Sequence, residues 1–458
     1  MVLDKIIDQT ELLEDAKKTL EGNWTGNFTI PASTLYPHQW SWDAAFIAIG
    51  NSYYNVPRAI KELEFLFDAQ WSNGMLPHIV FNPKEKTYFP ASEFYDVTRS
   101  PHAPKHIGTS GMTQPPVHAI ACYYIYVNSH DKVKAKEFLK RIYPKLKLFH
   151  NYLLTVRDPE KSGLVTIFHP WESGLDDSPV WDSALSKIKI QHVLKFERLD
   201  VVAVAGAKET IPSDHIYNKF IYLIELMKQY NYDEQKMYRD FPFKIKPVGF
   251  NSIVYVANKY MLKIAKILGE DVQEINKWIS RTRKNFYKYF LPTEIGALGT
   301  SEEALFFSYD LISKDWIRKK TISSILPIYT GLVSKQEVDT LVNWITHSHW
   351  CVEEGKCHVP VLPSVDLEES YFSPLRYWRG PLWVNINWMI WLGLLKYGYT
   401  QIADQIKSGI LELAANHGFR EYYNPYTGEG LGGKSFSWTA ALIIDMISDR
   451  DIGIPPDN

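Results

Sequence analysis

The sequence predicts an all-α fold, an α/α toroid of about six helical hairpins with minor β hairpins. Three observations carry that expectation. Apolar residues recur at three- and four-residue steps along most of the chain, and no strand-helix-strand alternation interrupts them. Helices that are apolar nearly all round alternate with helices that are apolar on one side, which is the division between an inner and an outer ring. No fixed-length repeat, low-complexity tract or long Pro/Gly/Ser linker divides the 458 residues, so 1–458 is expected to form one large domain.

In order, the helical segments begin at about 4–21, 43–51, 57–70, 115–128 and 132–156. The segment 115–128 is greasy throughout, whereas 132–156 is studded with Lys and Arg, an inner member followed by an outer one. The series continues at 214–230, 250–268, 272–288 and 335–346 and finishes with 381–397, 400–418 and 436–448. Residues 381–395 are almost uniformly apolar. In 400–418, Ile402, Ile406, Ile410, Leu413 and Ala414 make one apolar stripe, with Thr400 placed to cap the start and Gly418 to end it. Short extended pieces such as His78 to Phe81 are expected as loop hairpins. Between about 180 and 245, Ser, Lys and Pro residues break the helical pattern, and this stretch is assigned as a lid-like insertion.

Lys plus Arg total 50 against 52 for Asp plus Glu, and a net charge of −2 supplies no field to gather nucleic acid or anionic lipid. The longest apolar stretch, Pro381 to Leu395, contains Asn385 and Asn387. It falls short of the roughly 18 uninterrupted residues a bilayer demands, so no membrane partner is expected. Only Cys122, Cys351 and Cys357 are present and the start lacks a secretory signal, which predicts a cytoplasmic protein without disulfides. His347, His349, Cys351, Cys357 and His358 lie close together, but their spacing matches no zinc motif. No metal and no cofactor is predicted, and the sequence assigns no oligomeric state.

Aromatic residues make up 14% of the chain and crowd beside carboxylates. The crowded segments are Tyr36-Pro-His-Gln-Trp-Ser-Trp-Asp43, Trp171-Glu-Ser-Gly-Leu-Asp-Asp177, Tyr377-Trp-Arg-Gly-Pro-Leu-Trp383 and Glu421-Tyr-Tyr-Asn424. Ring faces beside polar groups suit a ligand that is half apolar and half hydroxylated, such as a sugar. These segments fall in outer-to-inner connections, which emerge at one end of a toroid and so line one funnel. Cleaving a glycosidic bond there requires one carboxylic acid to protonate the departing oxygen and a second carboxylate acting from the opposite face. The candidates are Asp43, Glu172, Asp176, Asp177, Asp182, Glu421 and Glu429. Burial against Trp171 or Trp181 would keep a proton on an acid in the 172–182 loop, with Asp176 and Asp177 equally eligible. Glu421, beside Arg420, Tyr422 and Tyr423, suits a base that stays ionised.

The same segments, together with Gly111-Met-Thr-Gln-Pro-Pro116 and Phe436-Ser-Trp-Thr-Ala-Ala441, resemble in order the motif series of glycoside hydrolase family 63. The likeness is to its compact branch of mannosylglycerate and glucosylglycerate hydrolases. It implies an α/α toroid with a lid, and hydrolysis of a small α-glucoside or α-mannoside with inversion. It further implies that Asp176 is the general acid and Glu421 the general base. Tyr36, Gln39, Trp40, Trp42, Asp43, Tyr88, Gln114, Trp171, Gly174, Tyr217, Trp378 and Trp383 would shape the pocket for a small carbohydrate substrate. The pattern departs at one place. Where those hydrolases carry an arginine six residues before a tyrosine to grip the glycerate carboxylate, anchoring on Tyr217 puts Ile211, with Lys208 and Lys219 as nearby cations.

Rival readings make distinct demands. A trehalase-like disaccharide hydrolase would share the Glu-Ser-Gly-x-Asp element. A polysaccharide lyase would need a basic pocket for a uronate carboxylate, and Arg379 is the cation within these motifs. A diphosphate-binding terpene synthase would place Asp176, Asp177 and Asp182 on a helix, where Gly174 and Pro179 make a loop. A non-catalytic sugar-binding toroid would not need both carboxylates.

Overall fold

The computed structural model describes residues 7–191, 210–292, 305–347, 350–352, 355–448 and 452–455. The first half of the ring is built from α1 (Gln9–Gly22), α2 (Ser41–Ser52), α3 (Val56–Asp68), α4 (His118–Asn128) and α5 (Lys132–Asn151). Then come α6 (Asp214–Gln229), α7 (Val248–Leu268), α8 (Gln273–Phe290) and α9 (Lys335–Thr346). The chain closes with α10 (Val384–Lys396), α11 (Thr400–His417) and α12 (Ser437–Ile447).

The inner circle runs α2, α4, α7, a 3₁₀ turn at Leu326–Thr330, α10 and α12, each packed on the next, and α12 returns to α2. Composition explains the division. Every residue of α2 is buried, whereas α3 buries only Ala59, Glu62, Leu63, Leu66 and Phe67. An inner helix touches neighbours on all sides, so it is apolar all round, and each fully buried Leu or Ile contributes about 1.5–3 kcal/mol. Ring closure depends on a small residue. A Cβ at Gly50 would fall 2.6 Å from that of Ala441, so only glycine lets α2 and α12 cross this closely.

The segment 214–230 is helical, as α6, and falls within the stretch assigned as an insertion; it packs on a short helix at Ser92–Tyr95 and on Trp171. Two elements differ from expectation. The fourth inner position is a 3₁₀ turn, 326–330, whose Pro327 removes the backbone donor a longer helix needs. The α/α toroid therefore has five inner α-helices and one 3₁₀ member among the described residues. The expected helix 132–156 ends as α-helix at Asn151 and widens into a π turn over Tyr152–Val156.

Short strands tie the outer-to-inner loops together at one end. β1 (Gln39–Trp40) pairs antiparallel with β2 (Ile79–Val80), so His78 to Phe81 joins a distant loop instead of forming its own hairpin. β3 (Ile245–Lys246), β4 (Ser308–Asp310) and β5 (Asp315–Ile317) form an antiparallel sheet, and β6 (Arg420–Tyr423) pairs with β7 (Gly430–Lys434). Near the other ends of the inner helices, Asp445 accepts hydrogen bonds from the Tyr53 hydroxyl and the Trp388 indole, both at 2.6 Å.

Cys351 and Cys357 form a disulfide, with Cα atoms 5.1 Å apart, which corrects the expectation that disulfides play no part. Cysteine count argued against a stapled fold but could not exclude one local bridge. No described helix is long and apolar enough to cross a membrane.

Candidate active site

The outer-to-inner loops enclose a cavity of about 480 Å³, a size suited to a small ligand. Asp43, from the first turn of α2, Asp176, from the loop after Trp171, and Glu421, from β6, all face it. Tyr36, Trp40, Trp42, Tyr88, Gln114, Trp171, Gly174 and Tyr217 line it as well.

The remaining sequence candidates lie elsewhere. Gln39 is a correction: its amide turns away from the cavity and donates to the Glu62 carboxylate at 2.7 Å and to the Glu62 carbonyl at 2.9 Å. The buried Glu62 needs those donors, and the alternation of side chains along β1 sends Gln39 inward while Trp40 faces the ligand space. Trp378 and Trp383 are also corrected, from wall to backing. They stack on each other with ring centres 3.8 Å apart, and Trp383 stacks on Tyr422, which is the ring that reaches the cavity. Glu429 is exposed.

Asp176 and Asp177 are resolved by their neighbours. The Asp177 carboxylate is taken by Arg376, at 2.7 and 3.1 Å, with Arg379 at 3.4 Å. Arg379 also makes a two-pronged pair with Asp182 at 2.9 and 2.5 Å. These bonds strap the 177–182 segment to 376–379 and consume the cation a uronate-binding site would need. Asp176 is left facing the cavity.

The loop bearing Asp176 is held rigidly. Glu172 accepts from the Phe168 and Thr113 amides at 2.7 and 3.3 Å and from both ends of the Arg157 guanidinium at 2.9 and 2.5 Å. Glu172 is thus a structural anchor. Gly174 adopts φ +73°, and a Cβ there would lie 2.5 Å from the Trp42 ring. The glycine lets the loop backbone close down on Trp42, placing the 171–176 turn against the start of α2. Trp181 does not cover the acid; its indole donates to the Leu175 carbonyl at 2.7 Å and fixes the same turn from behind.

Three carboxyls sharing a cavity, Asp43 and Glu421 buried and Asp176 half-buried, cannot all be charged. Burial, then the Glu421 and Asp177 charges, push Asp176 well above the usual aspartate range. Asp43 is raised in the same way by burial and then by Glu421. Glu421 is raised by burial to about 7, and three donors limit the rise. The Gly433 amide donates to Oε2 at 2.9 Å, while the Tyr36 and Tyr377 hydroxyls donate to Oε1 at 2.8 and 3.1 Å. Those bonds favour the anion, so of the three Glu421 is the carboxyl best equipped to ionise. The neighbours that matter most are therefore the Gly433 amide, then Tyr36 and Tyr377, with Arg420 a smaller influence than its adjacency suggests.

Tyr377 sits within a quoted motif, yet sequence alone gave no reason to prefer it to Trp378. Its φ of +27° is a strained backbone that costs about 1–3 kcal/mol and is sustained where surroundings fix it. His78 also lines the cavity and left no sequence signal, being one histidine in an apolar run. It lies over Trp171 with ring centres 6.3 Å apart, and its Nδ1 is buried without a partner among the described groups.

Ile211 lines the cavity beside Pro212, Tyr217 and Phe220. Lys219 does not reach it: its ammonium donates to the Leu185 carbonyl at 2.8 Å. Lys208 lies outside the described residues. So does His349, and among the described residues no group of three or more His, Cys, Asp or Glu side chains is arranged to hold a metal.

Residues 36–439 match the family model described as the mannosylglycerate hydrolase MGH1-like glycoside hydrolase domain. The mannosylglycerate hydrolase of Thermus thermophilus is 40% identical over 94% of this chain and 99% of its own. The glucosylglycerate hydrolase of Mycolicibacterium hassiacum is 33% identical over 97% and 99%. A crystal structure of a family 63 mannosylglycerate hydrolase from Thermus thermophilus in complex with Tris superposes with a TM-score of 0.87, at 39% identity, over 96% of this chain and 100% of that one. Matches of this extent, on a ring whose motif loops meet in one cavity, establish the chain as a glycoside hydrolase belonging to the MGH1-like domain family of glycoside hydrolase family 63.

Proposed function

We propose that this cavity hydrolyses a small α-glucoside or α-mannoside with inversion, Asp176 serving as general acid and Glu421 as general base. The observation that carries the reading is the unequal hydrogen bonding of two carboxyls on one cavity. Asp176 is raised and, among the described residues, receives no side-chain donor, while Glu421, also raised, has two tyrosines and an amide to hold its anion. The relatives' names, mannosylglycerate and glucosylglycerate hydrolase, support the size of the substrate.

In the reaction, Asp176 gives its proton to the glycosidic oxygen as the bond from that oxygen to the anomeric carbon breaks. A water on the opposite face forms the new bond to carbon, and its proton passes to Glu421. The free sugar leaves as the β-anomer and the aglycone as its alcohol. Asp43 and Gln114 receive sugar hydroxyls, and Trp40, Trp42 and Trp171 present ring faces to the sugar's C–H edges. Gln114 is oriented by accepting from the Trp42 amide at 3.1 Å. In this reading the insertion over about 180–245 acts as the lid, with Tyr217 and Phe220 of α6 as its contribution to the wall.

The test is hydrolysis of aryl α-glucosides and α-mannosides, with the anomer of the released sugar followed by NMR. Asp176→Asn and Glu421→Gln should each lose about 10²–10⁴ in rate. Parent-like turnover by both variants, or release of the α-anomer, would defeat the reading.

A further inference from the structure

The wall beyond the carboxyls carries a second message about the leaving group. Phe89 and Pro90 from one loop and Ile211, Pro212, Tyr217 and Phe220 from the insertion line it with hydrocarbon and one phenol. Its imidazole, His78, is uncharged at neutral pH, because burial pulls it down to about 3. The orphaned Nδ1 of that ring still wants one hydrogen bond. At the partly exposed rim stands Glu85, whose carboxylate accepts from the Thr87 hydroxyl at 2.6 Å and from the Thr87 and Lys86 amides at 2.9 Å. Those bonds hold Glu85 below the usual glutamate range, so it is an anion whenever the enzyme works. Among the described residues no lysine or arginine lines the cavity.

Resting on the glycosidase reading, we propose that this apolar wall, with Glu85 at its rim, selects an uncharged hydroxylated aglycone, a small polyol or a sugar, over a carboxylate such as glycerate. A neutral aglycone lays its C–H face on Ile211 and Phe220 and gives one hydroxyl to His78. A carboxylate entering the same space meets hydrocarbon, with the charge of Glu85 at the rim. A buried anion without a counter-charge is disfavoured, and a like charge at the mouth adds to the penalty. Ile211 and Glu85 are therefore specificity residues. Relatives named for glycerate glycosides face the opposite requirement.

The experiment compares α-glucosylglycerol with glucosylglycerate and the corresponding mannosyl pair as competitive inhibitors of aryl α-glycoside hydrolysis by the full chain. Inhibition is read whether or not each glycoside is itself cleaved. For the hexose the enzyme accepts, the neutral glycoside should bind at least about tenfold more tightly, a difference of about 1.4 kcal/mol. The preference should narrow as added salt shortens the screening length. Ile211→Arg should shift the ratio at least about tenfold toward glycerate. Equal or tighter inhibition by the glycerate glycoside overturns the proposal, as does a ratio unmoved by Ile211→Arg. Either result leaves the glycosidase reading intact provided aryl hydrolysis still depends on Asp176; loss of that dependence instead defeats the underlying reading.

Discussion

The Tyr36 hydroxyl donates to Glu421 Oε1 at 2.8 Å across 385 positions of chain. Tyr36 lies in the connection before α2 and Glu421 in the hairpin before α12, the two helices that close the ring. The bond therefore joins the first and last connections of the toroid at the carboxylate proposed to activate water. Its geometry depends on ring closure as much as on either residue, and the Gly50 crossing against Ala441 sets that closure.

The proposed base fixes the acid side of the pH profile. Glu421 must be ionised to accept a proton from water, and burial places its midpoint at about 7. The rate constant kcat/KM should rise as pH increases through about 7. It should fall at higher pH as Asp176, raised by burial and by Glu421, loses its own proton. The two groups titrate as a coupled pair, so the limbs belong to the pair. A profile with its acid limb near pH 4 would contradict this assignment.

Removing the tyrosine donors should move that limb in a determined direction. A hydrogen bond to a carboxylate favours its anion, so deleting one raises the carboxyl further. Tyr36→Phe and Tyr377→Phe should each shift the acid limb upward by about one pH unit and lower kcat at pH 7 about fivefold. Activity at a pH above the shifted limb should recover toward the parent. That recovery separates tuning of Glu421 from loss of sugar binding, which would raise KM at every pH.

The elements that sequence revealed are those whose cause is local. α11 announces itself through a stripe from Ile402 to Ala414, and α2 and α10 through unbroken apolar runs. The convergence of Asp176 and Glu421 was legible because their segments occupy the same kind of connection. What stayed hidden depends on partners distant in the chain. Nothing in Gln39 announces that Glu62, on the outer α3, will claim its amide. A tryptophan's identity does not say whether its ring meets ligand or another ring, and Trp378 and Trp383 meet each other. The inner turn 326–330 is too short for a period to show, and His78 acquires its meaning only when Trp171 comes to lie beside it.

Glu172 should prove essential for a reason other than chemistry. It is fully buried, and its charge is matched by Arg157, whose Nε also donates to the Tyr152 hydroxyl at 2.7 Å. Glu172→Gln keeps the shape but leaves the Arg157 cation buried without its counter-charge. Breaking such a pair from one side costs about 3–5 kcal/mol. Denaturant unfolding should show a loss of that size, with activity falling in step with the folded fraction. A soluble variant of parent stability would refute the anchoring role.

The disulfide makes the last prediction, because it was the element the cysteine count argued against. Cys351 and Cys357 are six residues apart, so the closed loop is short. Constraining a loop of that length removes chain entropy from the unfolded state worth about 2 kcal/mol. Its location limits what the bond can affect. The loop packs through Trp350 onto Trp344 of α9, and through the His358 amide onto the Pro425 carbonyl, just beyond the strand that carries Glu421. Reduction with dithiothreitol, or Cys351→Ser with Cys357→Ser, should lower Tm by about 2 °C, at roughly 1 °C for each kcal/mol in a chain of 458 residues. The rate at 25 °C should stay near that of the oxidised enzyme, because Glu421 is held by Tyr36, Tyr377 and Gly433 and by no atom of the bridge. A large fall in rate without a fall in Tm would instead show that the bridge reaches the hairpin, and that the Pro425 contact transmits its state to the proposed base.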